Sequence, residues 1–80
     1  MYYVYLIESL APQRKRCVGM TTDLKQRLKE HNTGKSAYSS KFRPWKLKTY
    51  IAFSERAKAE AFERYLKSGS GHAFARKRLW

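Results

Sequence analysis

Apolar positions cluster in the first twenty residues in a way that predicts a β-hairpin. Residues 2–7 (YYVYLI) are rich in β-forming side chains and apolar on both alternating faces. That pattern is typical of a central strand with neighbours on both sides and cover above and below. Residues 14–20 (RKRCVGM) form a second strand-like run that places Cys17 and Gly19 on one face. The short polar turn between the runs, which contains Pro12, predicts antiparallel pairing.

The next segment has the spacing of an amphipathic helix. Leu24 and Leu28 are one helical turn apart and mark the buried face. Thr21 or Thr22 can cap the start of this helix, and residues 32–34 (NTG) supply its stop.

The second half of the chain repeats a strand followed by a helix. Residues 45–53 (WKLKTYIAF) predict a third strand. Residues 55–67 (ERAKAEAFERYLK) predict a helix with an apolar stripe centred on Phe62, with Ser54 as its N-cap. Gly69 and Gly71 are expected to end that helix.

Two further segments complete the predicted fold. Residues 35–44 (KSAYSSKFRP) read as a polar, basic loop, and residues 72–80 (HAFARKRLW) can add a short basic helix. The expected fold is α+β, a three-stranded antiparallel sheet flanked by helices in the order ββαβα(α). We expect residues 1–80 to form a single domain, since 80 residues suffice for one modest core.

Charge narrows the classes of partner. Lys and Arg total 18 against 6 acidic residues, a formal net charge of +12, which favours nucleic acid through phosphate contacts. No apolar run approaches the roughly 20 residues that span a bilayer, so we expect no membrane partner. The single Cys17 cannot form an internal disulfide, which fits a reducing compartment, and we expect a cytoplasmic protein.

Helical geometry separates two cations from the others in the first helix. Arg27 and His31 lie within about 60° of Leu24 around the helix axis, whereas Lys25, Gln26, Lys29 and Glu30 lie roughly 100° or more away. Arg27 and His31 are therefore expected at the edge of the face that packs on the sheet. Each can also be structural, with Arg27 extending its aliphatic stem over the core and His31 an ordinary boundary residue.

In the second helix, Glu63 is the carboxylate nearest the buried stripe, and Glu60 is on the solvent side. Glu63 can equally form a surface ion pair with Lys67, four residues on, and Glu60 can pair with Arg64. The sequence leaves both interpretations open.

These residues also carry a resemblance to a known family. It rests on an ordered set of segments: YVY at 3–5, CVG at 17–19, Arg27, HNTG at 31–34, RPWKL at 43–47 and AFERYLKSG at 61–69. With this set, the chain resembles a small member of the GIY-YIG nuclease superfamily, similar to the amino-terminal domain of an excision-repair nuclease.

The resemblance implies a DNA endonuclease that uses Mg²⁺ or Mn²⁺ to hydrolyse phosphodiester bonds, with DNA repair as its setting. It implies catalytic roles for Tyr5, Arg27, His31 and Glu63, with Gly19 as the glycine of the second motif. Glu63 would be the metal ligand, and Arg27 would stabilise charge on the phosphoryl oxygens. Either Tyr5 or His31 can act as the general base.

Cys17 is where the chain departs from the pattern, because the second motif normally begins with a tyrosine. A thiol is a poor replacement for a phenol as a hydrogen-bond donor or base. Cys17 can lie near Tyr5 on the same face of a simple hairpin. The chemistry is then either slower or lost, and a cysteine nucleophile or a zinc site is not expected.

The expected substrate is DNA, which can be branched, flap or single-stranded. It would contact the basic side chains of Lys35, Lys41, Arg43, Lys67, Arg76, Lys77 and Arg78. One alternative is a nucleic-acid-binding module with weak or no catalysis, in which Tyr38, Phe42 and Trp45 stack on bases. A further alternative is an RNA-binding protein.

Overall fold

The computed structural model describes residues 1–34 and 37–80, without the side chains of residues 37 and 38. Its helices and strands, in chain order, are β1 (Tyr2–Ser9), β2 (Arg16–Thr21), α1 (Leu24–Thr33), α2 (Ala37–Lys41), β3 (Trp45–Phe53), α3 (Arg56–Leu66) and α4 (Gly69–Arg78). The sheet order is β2-β1-β3, and both pairings are antiparallel. The predicted α+β class and the central position of the first strand are confirmed.

The two faces of the sheet carry different helices. Val4 and Leu6 of β1 are fully buried and belong to a core cluster with Ala59 and Leu66 of α3 and Ala75 of α4. Alternate residues of β1 point to the opposite face, because side chains alternate along a strand. There Tyr5 and Ile7 line a small cavity together with Leu24, Leu28, His31 and Leu47. The sheet is therefore packed between α1 on one side and the α3 and α4 pair on the other.

Strand register determines what lies beside Tyr5. Tyr5 is opposite Gly19 on β2 and opposite Tyr50 on β3, whereas Ile7 is opposite Cys17. Cys17 therefore shares a face with Tyr5, displaced by two residues along the strand, as the simple hairpin predicted.

The start of α1 differs from the prediction. Asp23 is the N-cap, and its Oδ1 accepts a hydrogen bond from the Gln26 backbone N–H at 3.1 Å. Thr21 supports the turn before the helix, since its Oγ1 accepts from the Asp23 backbone N–H at 3.1 Å. The prediction of a threonine cap was wrong because an aspartate, an equally good cap with a negative charge, stands at the junction. The C-cap is Gly34, as predicted.

Two other boundaries also differ. The segment expected to be a loop contains α2, which is too short to show an apolar period in the sequence. The N-cap of α3 is Glu55 rather than Ser54, and no side-chain hydrogen bond caps this helix.

Gly69 and Gly71 do not end α3 but begin α4. Ser68 caps α4 by accepting a hydrogen bond from the Gly71 backbone N–H at 3.2 Å. Gly71 is buried where α4 crosses the end of α3, and a Cβ on it would overlap the Tyr65 carbonyl oxygen. Gly71 thus permits a close contact between the two helices. In the sequence alone, the same glycine indicated the end of a helix.

None of the helices within residues 1–34 and 37–80 has the length and hydrophobicity needed to cross a bilayer.

Candidate active site

The Tyr5 hydroxyl is the centre of a buried group of polar side chains. Arg27 Nε donates a hydrogen bond to it at 3.2 Å, and His31 Nε2 lies 3.1 Å from it. Tyr5 and His31 are 5% and 6% exposed. The structure thus brings together three of the predicted catalytic residues, one from the central strand and two from α1.

Helix periodicity explains this meeting. His31 is the one buried residue of α1, and Arg27 is a turn before it on the same side, partly exposed. Leu24 and Leu28 anchor this side of the helix against Ile7 and Leu47. The predicted facing of Arg27 and His31 is confirmed.

Glu30 holds the far end of the Arg27 guanidinium, with 3.0 Å between Arg27 Nη1 and Glu30 Oε1. The sequence interpretation gave only the angle of Glu30 around the helix, roughly 100° or more from Leu24, and did not predict its pairing with Arg27. The i, i+3 spacing of Arg27 and Glu30 was the available signal for the pair. With Glu30 and Tyr5 as partners, the orientation of the guanidinium is fixed at two of its nitrogens.

Burial keeps both members of the Tyr5–His31 pair neutral. Burial raises the pKa of Tyr5 above 10, although the hydrogen bond and charge of Arg27 act in the opposite direction. Burial, followed by the charge of Arg27, lowers the pKa of His31 below 6.5. A neutral imidazole has one nitrogen that can accept a proton. Since the Tyr5 oxygen already accepts from Arg27, its own proton can be donated to His31 Nε2.

The other ring nitrogen of His31, Nδ1, is buried and has no hydrogen-bond partner among the described residues. Its ring contacts Tyr5 edge-on, at 5.8 Å between centroids, and packs near Trp45 at 6.1 Å. His31 is therefore held mainly by aromatic packing and by its hydrogen bond to Tyr5.

Gly19 is required by the position of the Tyr5 ring. The ring lies directly over the Gly19 backbone, and a Cβ at that position would overlap the hydroxyl oxygen and come within 2.8 Å of Cε1. Contacts of that length essentially never occur for real Cβ atoms. The absence of a side chain at Gly19 thus allows the Tyr5 hydroxyl to reach Arg27 and His31.

Cys17 is half-buried on the same side of β2. Burial raises the pKa of its thiol above 9.0, against the opposing charges of Lys67 and Arg27. At neutral pH the group is a thiol, whereas the nucleophilic form of cysteine is the thiolate.

Glu63, on α3 in the other helix layer, acts on this group through its charge. Its charge acts on Tyr5, whose pKa it raises, and Lys67 in turn acts on Cys17. Lys67 Nζ lies 3.0 Å from Glu63 Oε2, and the Glu63 side chain is 23% exposed. The ion pair that the sequence left open is therefore present, beside the predicted catalytic residues. Glu60 pairs with Arg56 rather than with Arg64 as expected, because a helical glutamate can reach a cation one turn in either direction.

The family comparison bears directly on this arrangement. A family model described as the GIY-YIG catalytic domain matches residues 1–77. The chain belongs to the GIY-YIG family. No curated protein matches the chain significantly.

The GIY-YIG family supports a nuclease fold and a nucleic-acid substrate, and its members generally depend on divalent metals. Within the described residues, no cluster of three or more His, Cys, Asp or Glu side chains could hold a metal. A magnesium ion, however, keeps several waters and can be bound through one carboxylate plus substrate phosphate. Glu63 fits that need, since it is a partly exposed oxygen ligand whose partner Lys67 is 57% exposed and can move aside.

Asn32, within the HNTG segment, has a structural position that sequence reasoning missed. Its Oδ1 accepts from the Trp45 backbone N–H at 2.6 Å, and its Nδ2 donates to the Trp45 carbonyl at 3.3 Å. This double contact attaches the end of α1 to the first residue of β3. No sequence pattern predicts this contact, because Asn32 and Trp45 are 13 residues apart in the chain.

The predicted DNA-contacting residues are spread over the GIY-YIG domain. Lys41 and Arg43 are exposed at and after α2, which contacts α1. Arg76, Lys77 and Arg78 are exposed on α4, on the other side of the sheet. Lys67 follows α3 beside Glu63, and Lys35 lies outside the described residues.

The aromatic residues suggested for base stacking are only partly suited to it. Trp45 is 3% exposed, and its Nε1 donates to the Ser39 carbonyl at 2.8 Å, so its role is packing. Phe42 is partly exposed, with Lys15 Nζ 5.7 Å from its ring centroid. The Tyr38 side chain lies outside what the structure describes. By contrast, Tyr50 is 52% exposed on the Tyr5 face of the sheet, where its ring meets Tyr3 edge-on.

Proposed function

We propose that this protein is a divalent-metal-dependent endonuclease that hydrolyses phosphodiester bonds in DNA and selects DNA by its structure. The observation that carries the proposal is the Tyr5 hydroxyl bonded to both Arg27 and His31, in a chain of the GIY-YIG family. The proposed contacts are mostly to phosphates, which carry little sequence information, so we expect weak sequence preference.

Tyr5 and His31 can together remove a proton from the attacking water. As the water gives its proton to the Tyr5 oxygen, the phenolic proton passes to His31 Nε2, 3.1 Å away. The water oxygen then bonds to phosphorus, and the bond from phosphorus to the leaving oxygen breaks. The lowered pKa of His31 keeps its ring neutral at pH 7, and the neutral ring is the form that can accept the proton.

Arg27 is suited to stabilising the phosphate. Its guanidinium has five N–H donors, and the bonds to Tyr5 and Glu30 use only two of its nitrogens. The side chain is 40% exposed, so substrate can reach it. A planar, permanently charged group held at two points needs little reorganisation when charge develops on the phosphoryl oxygens.

Glu63 would hold the metal, either Mg²⁺ or Mn²⁺. When bound, the cation would supply positive charge that stabilises the phosphoryl oxygens and the leaving oxygen. Lys67, freed from Glu63, would then contact a phosphate.

Cleavage of defined DNA forms tests the proposal. Purified protein with Mg²⁺ or Mn²⁺ should cut at least one of duplex, single-stranded, flap and branched DNA. Glu63→Gln and Arg27→Gln should each slow cleavage by about 100-fold or more, the usual cost of losing one charge-stabilising group.

The matched controls are Glu60→Gln on α3 and Lys29→Gln on α1, which remove the same charges at positions outside the Tyr5 group. Both should cut like the parent. Failure to cut any DNA form, or equal losses in the controls, would overturn the proposal.

Cys17 at the motif tyrosine position favours the second candidate, a nucleic-acid-binding module without catalysis. Cys17→Tyr discriminates the two, because a phenol there would restore the second tyrosine beside Tyr5. An increased cleavage rate supports the nuclease. Salt-dependent DNA binding with no cleavage by either protein supports the binding module.

Three broader expectations belong to the same proposal. Residues 1–80 act as one nuclease domain, the protein works in the cytoplasm, and its setting is DNA repair. The single half-buried thiol and the net charge of +12 support a reducing compartment and a nucleic-acid partner.

A further inference from the structure

A groove of about 450 Å³ lies along the outer edge of the sheet, between β2, the end of α3, and α4. Its polar lining includes Arg16, Lys67 and Arg76, and its apolar lining includes Leu66 and Trp80. A volume of this size is within the roughly 300–1,000 Å³ range of small-ligand pockets. One nucleotide is a ligand of suitable size.

The charge of the groove favours an anion. Three side chains of its lining are permanently cationic at neutral pH, and no acidic side chain lines it within the described part of the chain. Two of these cations are paired with carboxylates outside the lining, Arg16 with Glu8 at 3.3 Å and Lys67 with Glu63 at 3.0 Å. The positive charge that the lining presents to a ligand is therefore reduced by these carboxylates but not cancelled.

Trp80 is held in position before any ligand arrives. The Thr49 hydroxyl donates to the Leu79 carbonyl at 2.7 Å, and the Trp80 backbone N–H donates to the Ala75 carbonyl at 2.9 Å. The Arg16 guanidinium lies 4.9 Å from the Trp80 ring centroid. An aromatic ring that is already ordered loses little entropy when a base stacks on it.

Two residues that line the groove neighbour the proposed catalytic residues. Cys17 lines it and is two residues from Gly19, over which Tyr5 lies. Lys67 lines it and bonds to Glu63 at 3.0 Å. A ligand in the groove is therefore next to the carboxylate expected to hold the metal.

We propose that the groove binds one unpaired nucleotide of the DNA, next to the phosphate that is cut. Its base would replace the Arg16 guanidinium over the Trp80 ring, and its flanking phosphates would contact Arg76 and Lys67. This inference rests on the proposed nuclease function, because it names the kind of DNA that the same site prefers. A base inside a duplex cannot enter the groove, so the unpaired nucleotide determines structural selectivity.

The test is a binding experiment with three labelled DNA duplexes in EDTA, where no metal-dependent cleavage occurs. One duplex is fully paired, one has a single unpaired nucleotide, and one has an abasic site at that unpaired position. The parent should bind the unpaired nucleotide roughly ten-fold more tightly than the abasic form, within the range measured for stacking on an aromatic side chain.

Substitutions in the groove should remove this preference. Trp80→Ala should bind the unpaired and abasic forms equally, whereas Trp80→Phe, which keeps a ring, should retain most of the difference. Arg76→Gln, at an exposed helix position where folding is not at risk, should weaken binding of both unpaired forms more than of the paired duplex.

Matched controls lie outside the groove. Tyr65→Ala removes another partly exposed aromatic side chain, and Arg64→Gln removes another exposed cation, both from α3. Both should keep the preference of the parent. Equal affinity of the parent for all three duplexes, or the same losses in the controls, would overturn the inference.

Binding and cleavage separate this inference from the function on which it rests. A protein that cuts DNA but shows no preference for the unpaired nucleotide contradicts the groove assignment alone. A protein that shows the preference in EDTA but cuts nothing with Mg²⁺ or Mn²⁺ contradicts the nuclease alone.

Discussion

The Tyr5 hydroxyl has two neighbours with complementary roles, one a hydrogen-bond donor to its oxygen and the other a candidate acceptor of its proton. Arg27 donates to the oxygen, which stabilises negative charge there, and His31 can receive the proton. Burial works against charge on either Tyr5 or His31, as their pKa shifts show. Without substrate, Tyr5 and His31 are therefore both neutral. His31 becomes charged only when the attacking water gives up its proton.

Gly19→Ala should damage the site through Tyr5. The added methyl would overlap the Tyr5 ring, which must then move away from Arg27 and His31. We expect cleavage about 100-fold slower, since displacement by about 1 Å can have that effect. Overpacking should also lower the free energy of unfolding by about 1–3 kcal/mol. Cleavage kinetics and urea denaturation measure the two effects.

Gly69→Ala is the matched control, because a Cβ there meets no atom within 4 Å. It should cut at the parent rate and be no less stable. A Gly19→Ala protein with the parent's rate would show that the Tyr5 ring position is not needed for catalysis.

The lowered pKa of His31 makes stability depend on pH. Folding favours the neutral ring, so this contribution is fully present above pH 6.5 and is lost as the pH falls through the lower folded pKa. We expect the free energy of unfolding to fall below pH 6.5, and to fall less in His31→Gln. Urea denaturation between about pH 7.5 and about pH 5 measures the change.

Lys29→Gln is the control for that series, since it changes α1 at an exposed position and leaves the imidazole in place. Its pH dependence should follow the parent. If His31→Gln loses as much stability as the parent over the acidic range, burial of the neutral ring is not the cause.

At the scale of elements, Asn32 joins α1 to β3. Asn32→Asp should keep the bond from the Trp45 N–H but place a negative oxygen against the Trp45 carbonyl. We expect a loss of about 1–3 kcal/mol in the free energy of unfolding, as for other unsatisfied or opposed polar groups. Thermal and urea denaturation measure the loss.

Thr33→Ala is the neighbouring control, because Thr33 is exposed and, among the described residues, its hydroxyl donates to the Glu30 carbonyl of its own helix at 3.4 Å. Its effect should stay within about 0.5 kcal/mol. Equal stability of Asn32→Asp and the parent would mean that the double contact adds nothing to the attachment of β3.

The strands and long helices could be predicted because each is specified by its own local pattern. β1 is apolar on both faces, and Leu24 with Leu28 places Arg27 and His31 beside the sheet. Tyr5 joined this group only through the resemblance to the GIY-YIG family, because a tyrosine in an apolar strand is by itself typical of a core residue. The contact of Tyr5 with Gly19 was not predicted, because it depends on strand register, which the sequence specifies only weakly.

The missed features depend on tertiary contacts. Gly71 resembles a helix stop, and only the crossing of α3 and α4 shows why it is a glycine inside a helix. The pairing of Glu30 with Arg27 was not predicted, because the angle of Glu30 around the helix does not show how far its long side chain reaches. The groove beside β2 was not predicted, because its walls come from elements distant in sequence.

For the whole molecule, the net charge of +12 predicts DNA binding that weakens steeply with salt. If about six of the proposed cations contact phosphates, affinity should fall by about 10³ between 50 and 200 mM salt. Fluorescence anisotropy with a fixed DNA length measures this slope.

Arg76→Gln should reduce that slope by about one unit, as expected for a single lost phosphate contact. Thr33→Ala, which changes no charge, should leave it unchanged. An affinity that hardly varies with salt would show that the basic surface does not bind the DNA backbone.

The central position of β1 also determines which parts of the molecule can adjust to DNA. Tyr5 lies on a strand that is hydrogen-bonded on both sides, whereas Arg27, Glu63 and the groove residues of α4 belong to helices at the outside. The Tyr5 amide should accordingly be among the slowest to exchange with deuterated solvent. The phenol is then a fixed reference point, and any closure around the scissile phosphate must come from the helices moving toward it.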